Sequence, residues 1–442
     1  MAVTRRASTI TEARIAAAEV CADIRRGELL DPSFDRRTAS LDARDRRWTR
    51  ELVYGMLRRR SWIDALLDVR VKGGLQRLEP GFLDLMRLGT YQLLEMGSVP
   101  AYAAIGQTVE LAKVKEGIGA GGLANAVLRR IDRERGAMAA VVPADPVDAL
   151  VLSHSHPRWL VDRWIARFGL EETEALLEAN NREAPLIARP VGVDIETLRT
   201  MLADAGVSTE PAPLLTDSLV MTSALSLHEL GVFRQGLFHL QDPASTLVTK
   251  YADVPQGATV VDLCAAPGGK SVELARRAGL VISCDLSPTR IARVLENRER
   301  LAVDQMFAVV ADARLPAVRA VDLVLVDAPC TGTGTFRRHP DARWRLRVSD
   351  LAVMGALQRS ILRAAAGVVR PGGVLVYSTC SLEPEENDQQ VDQFLSEHPD
   401  FALEPPPTGA VPPEVLDAGR LRVLPQRHGT DGAFAARLRR AA

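Results

Sequence analysis

The chain has 442 residues, with 55 Lys and Arg set against 56 Asp and Glu for a net charge of −1. That length exceeds one ordinary domain, so two or three are expected, and 47% hydrophobic with 25% charged residues is the balance of a soluble globular protein. Near-neutrality argues against a protein coated in basic charge, although a local basic patch suffices to hold phosphates. The sequence holds no apolar run of about 18 residues that could span a membrane. Arg5 and Arg6 are followed by no apolar stretch of the kind a secretory signal needs.

Residues 1–140 are expected to form a helical domain. Stretches such as Glu51-Leu52-Val53-Tyr54-Gly55-Met56-Leu57 and Gln107-Thr108-Val109-Glu110-Leu111-Ala112-Lys113 place apolar residues at helical spacing. Basic clusters occur at Arg58-Arg59-Arg60 and Arg129-Arg130; these are either solvated helix faces or contacts to RNA phosphates. Gly136, Pro143, Asp145 and Pro146 then break the pattern. Residues 141–238 read as a small mixed α/β connecting subdomain, with strands near Leu186 and Leu219 and a helix over 195–205.

From residue 239 to 442 the rhythm is that of an α/β domain. Apolar runs begin at Thr259, Leu280, Phe307, Val321 and Gly373, with helical stretches between them. Such alternation predicts a doubly wound, mostly parallel, Rossmann-like sheet. Ligands bind such sheets beyond the carboxyl ends of the strands.

The chemistry-bearing residues sit at those ends. The first strand leads into Cys264-Ala265-Ala266-Pro267-Gly268-Gly269-Lys270, a loop of small residues that lets backbone approach a ligand closely. It matches neither a dinucleotide fingerprint nor a P-loop. Asp285 ends the second strand, where a carboxylate can accept from ribose hydroxyls, and Arg290 follows it. Asp312, after the third strand, is placed to accept from an adenine amino group, and Asp327 ends the fourth. A single such Asp is usually a helix cap, but three behind a small-residue loop suit a nucleoside-bearing cofactor.

Five cysteines are present, at 21, 264, 284, 330 and 380. Their odd number and the absence of CxxC spacing argue against a disulfide framework or a metal site and fit a reducing cytoplasm. Cys21 and Cys284 read as small buried hydrophobes. Cys330, in Asp327-Ala328-Pro329-Cys330, and Cys380, in Ser378-Thr379-Cys380-Ser381, close neighbouring strands and would face one crevice. Two thiols there suit covalent catalysis on a pyrimidine. A thiolate adding to carbon 6 of cytosine makes an enamine whose carbon 5 can attack a sulfonium methyl group. Asp327 would supply acid to the ring, and the second thiol would help to release the product. Either sulfur could start the reaction.

Together with Gln241-Asp242-Pro243-Ala244-Ser245, Arg337-Arg338-His339-Pro340-Asp341 and His428-Gly429-Thr430-Asp431-Gly432, these motifs resemble the Sun/RsmB (Fmu) family of bacterial 16S ribosomal RNA cytosine-5 methyltransferases. The stretches Leu52-Val53-Tyr54-Gly55, Leu88 to Leu94 and Gly122 to Arg130 resemble that family's NusB-like RNA-binding domain. The resemblance implies S-adenosylmethionine as cofactor, held by residues 264–270, Asp285, Asp312 and Asp327. It implies Cys380 as nucleophile, Cys330 as the releasing thiol, and small-subunit ribosomal RNA as partner, bound by a monomer without membrane or metal. Ala433 and the Arg189-Pro190-Val191-Gly192 stretch depart from the family pattern. Arg337, Arg338, His339, Arg343 and Trp344 follow Cys330 closely, and basic and stacking side chains in that place suit a flipped-out base. A binding protein with an idle methyltransferase fold is the rival reading; it is disfavoured because neither thiol and no strand-end acid is missing.

Overall fold

The computed structural model describes residues 10–135, 143–222 and 227–442, so Arg5, Arg6 and Gly136 lie outside it. The chain divides into two compact units, one of residues 1–181 with 339–345 and the other of 182–338 with 346–442. No helix among the described residues is long and apolar enough to cross a membrane.

The first unit is helical. Asp42 accepts from the Asp45 backbone N–H at 2.7 Å and so starts the helix Ala43–Arg58. That helix buries Leu52, Val53, Met56 and Leu57, each worth about 1.5–3 kcal/mol of burial. Gly55 permits the closest packing there, because a Cβ on it would lie 1.9 Å from the Tyr91 hydroxyl. The helices Pro146–His154, Arg158–Phe168 and Leu170–Asn181 fall in the stretch read as connecting subdomain, yet they pack within this unit. So does the segment His339–Arg345, far along the chain.

The second unit opens with a four-stranded antiparallel sheet in the order β2-β3-β1-β4. Its strands are β1 (Leu186–Pro190), β2 (Thr209–Ala212), β3 (Leu215–Met221) and β4 (Phe238–Leu240). The helix Ile195–Asp204, capped by Asp194, packs Leu198 and Leu202 against Leu219 and Phe238. The strands expected near Leu186 and Leu219 and the helix over 195–205 are thus present. β2 and β4 were not expected, being short and lacking a clear alternating pattern.

The larger sheet contains β5 (Thr259–Asp262), β6 (Leu280–Asp285), β7 (Met306–Val310), β8 (Val321–Asp327) and β9 (Val369–Thr379). It is extended by β10 (Phe401–Leu403), β11 (Leu416–Asp417), β12 (Arg420–Val423) and β13 (Ala433–Arg440). Its order is β11-β12-β13-β9-β8-β5-β6-β7, with β10 on β13. Strands β5 to β9 pair in parallel, as their apolar runs predict. The extension through β13 is antiparallel. It was not expected, because Ala433 to Arg440 contains no β-branched residue. The chain runs from β5 outward to β7 and then returns to β8 on the other side of β5. That reversal opens a crevice beyond the ends of β5 and β8.

Candidate active site

At the end of β5, residues 264–270 turn back sharply. The Gly268 N–H donates to Ala265 O at 2.7 Å, with Gly268 at φ +102°. That left-handed conformation favours glycine, and a Cβ there would also lie 3.3 Å from Val294. The helix Pro288–Arg300 holds the loop from behind. Arg290 donates to Ala266 O at 3.1 Å and Asn297 to Pro267 O at 3.0 Å.

Arg290 also pairs with Asp285 at 3.2 Å, linking the second strand's carboxylate to the loop. Asp285 is buried and accepts from the Ser287 N–H at 3.0 Å. Asp312 is engaged instead with Arg314 in its own turn, at 2.6 Å. Burial pushes the Cys264 thiol well above the ordinary cysteine range, and the carboxylates of Asp262, Asp327 and Asp285 push it further. The protonated thiol of Cys264 is thereby favoured.

Lys270, at the loop's end, reaches across the crevice to Asp327, Nζ to Oδ2 at 2.6 Å. Burial lowers the tendency of its ammonium to stay charged, but Asp327 more than offsets this and the net direction is upward. Ser378 donates to the other oxygen of Asp327 at 2.8 Å. This follows from register, since Asp327 of β8 pairs with Ser378 of β9.

The same register brings the thiols together. Cys330 and Cys380 lie shortly beyond the paired residues, with their sulfurs 3.3 Å apart and not disulfide-bonded. Their surroundings differ. The hydrogen bond to Cys380, together with burial and the Cys380 and Glu386 charges, holds Cys330 well above the usual thiol range. Cys380 instead interacts with the Lys270 ammonium.

The acidic loop 383–386 was given no role in the sequence reading, yet Glu386 is fully buried there. Its carboxylate accepts from the Thr331 N–H at 2.9 Å and from Gln358 at 3.0 Å, and also from the Thr331 and Ser381 hydroxyls. Glu386, one of three glutamates in Glu383-Pro384-Glu385-Glu386, looks like part of a solvated turn in the sequence, and only the fold reveals its burial.

The basic strip after Cys330 makes internal contacts. Arg337 and Arg338 form a four-membered ionic cluster with Asp242 and Asp431. Arg338 meets Asp242 at 2.6 Å and Asp431 at 2.5 Å. Asp242 also caps the helix Pro243–Ala252. The family motifs around 241, 337 and 431 therefore converge on one buried electrostatic joint. Arg343 is fully buried and donates to Asn181 Oδ1 at 2.7 Å and Asn180 O at 3.0 Å. Trp344 donates its indole N–H to Leu57 O at 2.9 Å. Arg337, Arg343 and Trp344 thus spend their donors inside the protein. His339 stays half-exposed while pairing with Asp31 at 2.7 Å.

Strand order, the small-residue loop after β5 and the acids at successive strand ends together define a Rossmann-like methyltransferase domain, here preceded by helical and small α/β domains. Sequence profiles agree, matching the NusB family over residues 11–133, a ferredoxin-like domain of RsmF/B-like methyltransferases over 156–228, and 16S rRNA methyltransferase RsmB/F over 251–439. A Bacillus subtilis protein named probable ribosomal RNA small subunit methyltransferase B is 36% identical over 403 residues, covering 88% of this chain and 89% of its own. The ribosomal RNA small subunit methyltransferase B of Vibrio cholerae is 35% identical, with 88% of each chain covered. The crystal structure of PH0851 superposes with a TM-score of 0.81 at 27% identity, covering 97% of this chain and 99% of that one. The chain belongs to the RsmB/F family of 16S rRNA methyltransferases, which are S-adenosylmethionine-dependent.

Proposed function

We propose that this protein methylates carbon 5 of a cytosine in small-subunit ribosomal RNA, with Cys380 as the nucleophile. The observation that carries the reading is the thiol pair, 3.3 Å apart, just beyond the ends of β8 and β9, where Lys270 from the loop after β5 pairs with Asp327. The substrate class comes from the names of the relatives.

The residues present suit S-adenosylmethionine. Residues 264–270 and Asp285, bridged by Arg290, would hold its amino-acid and ribose parts, Asp312 its adenine, and Asp327 the side nearest the substrate. Asp285 and Asp327 present carboxylates at the loop beside Cys264, acceptors for the hydroxyl and amino groups of such a ligand. When bound, this cofactor supplies an electrophilic methyl group on a positively charged sulfur.

The chain's own residues carry the remaining chemistry. Cys380, beside Lys270, is the sulfur that ionises, while Cys330 keeps its proton. The Cys380 thiolate adds to carbon 6, and ring N3 takes a proton through Asp327 from the Lys270–Asp327 pair. After carbon 5 is methylated, its proton passes to Cys330 as the Cys330 proton passes to the departing Cys380 sulfur. The carbon 6–sulfur bond breaks, the ring double bond reforms and N3 returns its proton to Asp327. The test is methyl transfer from labelled S-adenosylmethionine to small-subunit ribosomal RNA. Cys380→Ser is expected to abolish transfer, and full activity in that variant would refute the assignment.

A further inference from the structure

We infer that Glu386 is a positioning residue for the two-thiol site, its buried carboxylate tying the Cys330 and Cys380 loops together and setting a negative charge against Cys330. The inference rests on the two-thiol reading proposed above.

The geometry is that of a bracket. One oxygen of Glu386 accepts from the Thr331 N–H at 2.9 Å and from Gln358 Nε2 at 3.0 Å. The other accepts from the hydroxyls of Thr331 and Ser381. Thr331 follows Cys330 and Ser381 follows Cys380, so one carboxylate fixes the residue next to each sulfur. Gln358 extends the bracket to Pro329 O at 2.9 Å, and the Tyr377 hydroxyl donates to Glu386 O at 2.6 Å. Four donors thus satisfy both oxygens of the buried carboxylate.

The carboxylate also acts on Cys330. The hydrogen bond to the Cys380 thiol, burial and the charges of Cys380 and Glu386 raise the Cys330 thiol, and a backbone hydrogen bond with Cys380 lowers it. Tyr377, from β9, feels both Cys330 and Glu386 and stays a neutral phenol. Lys270 acts on Cys380 instead. Glu386 thus opposes ionisation of Cys330, and the Lys270 ammonium favours that of Cys380.

Glu386→Gln isolates the charge. The Thr331 and Ser381 hydroxyls can rotate to accept from the new amide, so the bracket survives. The measurement is alkylation of Cys330 by iodoacetamide against pH, located by mass spectrometry, in Cys380→Ser and in Cys380→Ser with Glu386→Gln. The midpoint is expected to fall by about one pH unit or more in the Gln variant; coincident midpoints would overturn the charge role. Glu386→Asp keeps the charge and shortens the reach. With Cys380 intact it is expected to hold KM for RNA while lowering kcat by roughly 10²-fold; unchanged kcat would overturn the positioning role. The alkylation arm needs no methyl transfer, so it can fail or succeed independently of the proposed reaction.

Discussion

Two cysteines of the same residue type occupy equivalent positions at neighbouring strand ends, and residue-level chemistry separates them. Cys380 is acted on by Lys270, and Cys330 by Glu386 and by its hydrogen bond to Cys380. The sequence leaves either sulfur able to start the reaction, and resemblance favours Cys380; the Lys270 charge acting on Cys380 fits the proposed order. The relay then predicts that Cys330→Ala stalls after addition, and a protein–RNA band of reduced mobility should accumulate on a denaturing gel. A clean gel would count against a releasing role for Cys330. Removing the ammonium in Lys270→Met should lower kcat by about 10²-fold or more, measured by methyl transfer at saturating RNA; a change confined to KM would contradict its role in the proton economy.

At the scale of elements, the site is a product of register. Pairing of Asp327 with Ser378 across β8 and β9 carries Cys330 and Cys380 to the same level. β8 was legible because both of its faces are covered, so Val321 to Val326 read as a nearly continuous apolar run. β13 was not legible, since its Arg437, Arg439 and Arg440 interrupt an alanine-rich stretch and its pairing with β9 is set from afar. The contacts of the arginines after Cys330 were not legible for a related reason. A charge run in sequence carries no record of its partners, and those of Arg337 are Asp242 and Asp431, about a hundred positions away in either direction. That joint has its own prediction. Asp242→Asn keeps the cap on the helix Pro243–Ala252 but leaves two arginines sharing one carboxylate. The expected loss is about 3–5 kcal/mol in denaturant unfolding, and a change below about 1 kcal/mol would show that the cluster holds little stability.

For the molecule as a whole, one buried carboxylate ties folding stability to pH. Asp262 is fully buried at the end of β5, with Ser271 donating to one of its oxygens at 2.7 Å. Burial raises its pKa from 3.8 to about 7, against the opposing hydrogen bond from Ser271. Between those two values the native state holds a proton that the unfolded chain has released. This residue's contribution therefore favours folding most below pH 3.8 and is lost as pH rises toward about 7. Asp262→Asn removes that dependence. The Tm difference, variant minus parent, is expected to grow from pH 4 to pH 7 and then level off; a difference independent of pH would contradict the assignment.

The central claim is that Cys380 forms the bond to the base. Its most direct test uses small-subunit ribosomal RNA made with 5-fluorocytidine, incubated with the intact protein and S-adenosylmethionine. Fluorine at carbon 5 leaves no proton to remove after methylation, so the adduct cannot be released. Digestion and mass spectrometry should then place a methylated fluoropyrimidine nucleotide on the peptide containing Cys380. An adduct on Cys330, or no adduct while methyl transfer to ordinary RNA proceeds, would contradict the account.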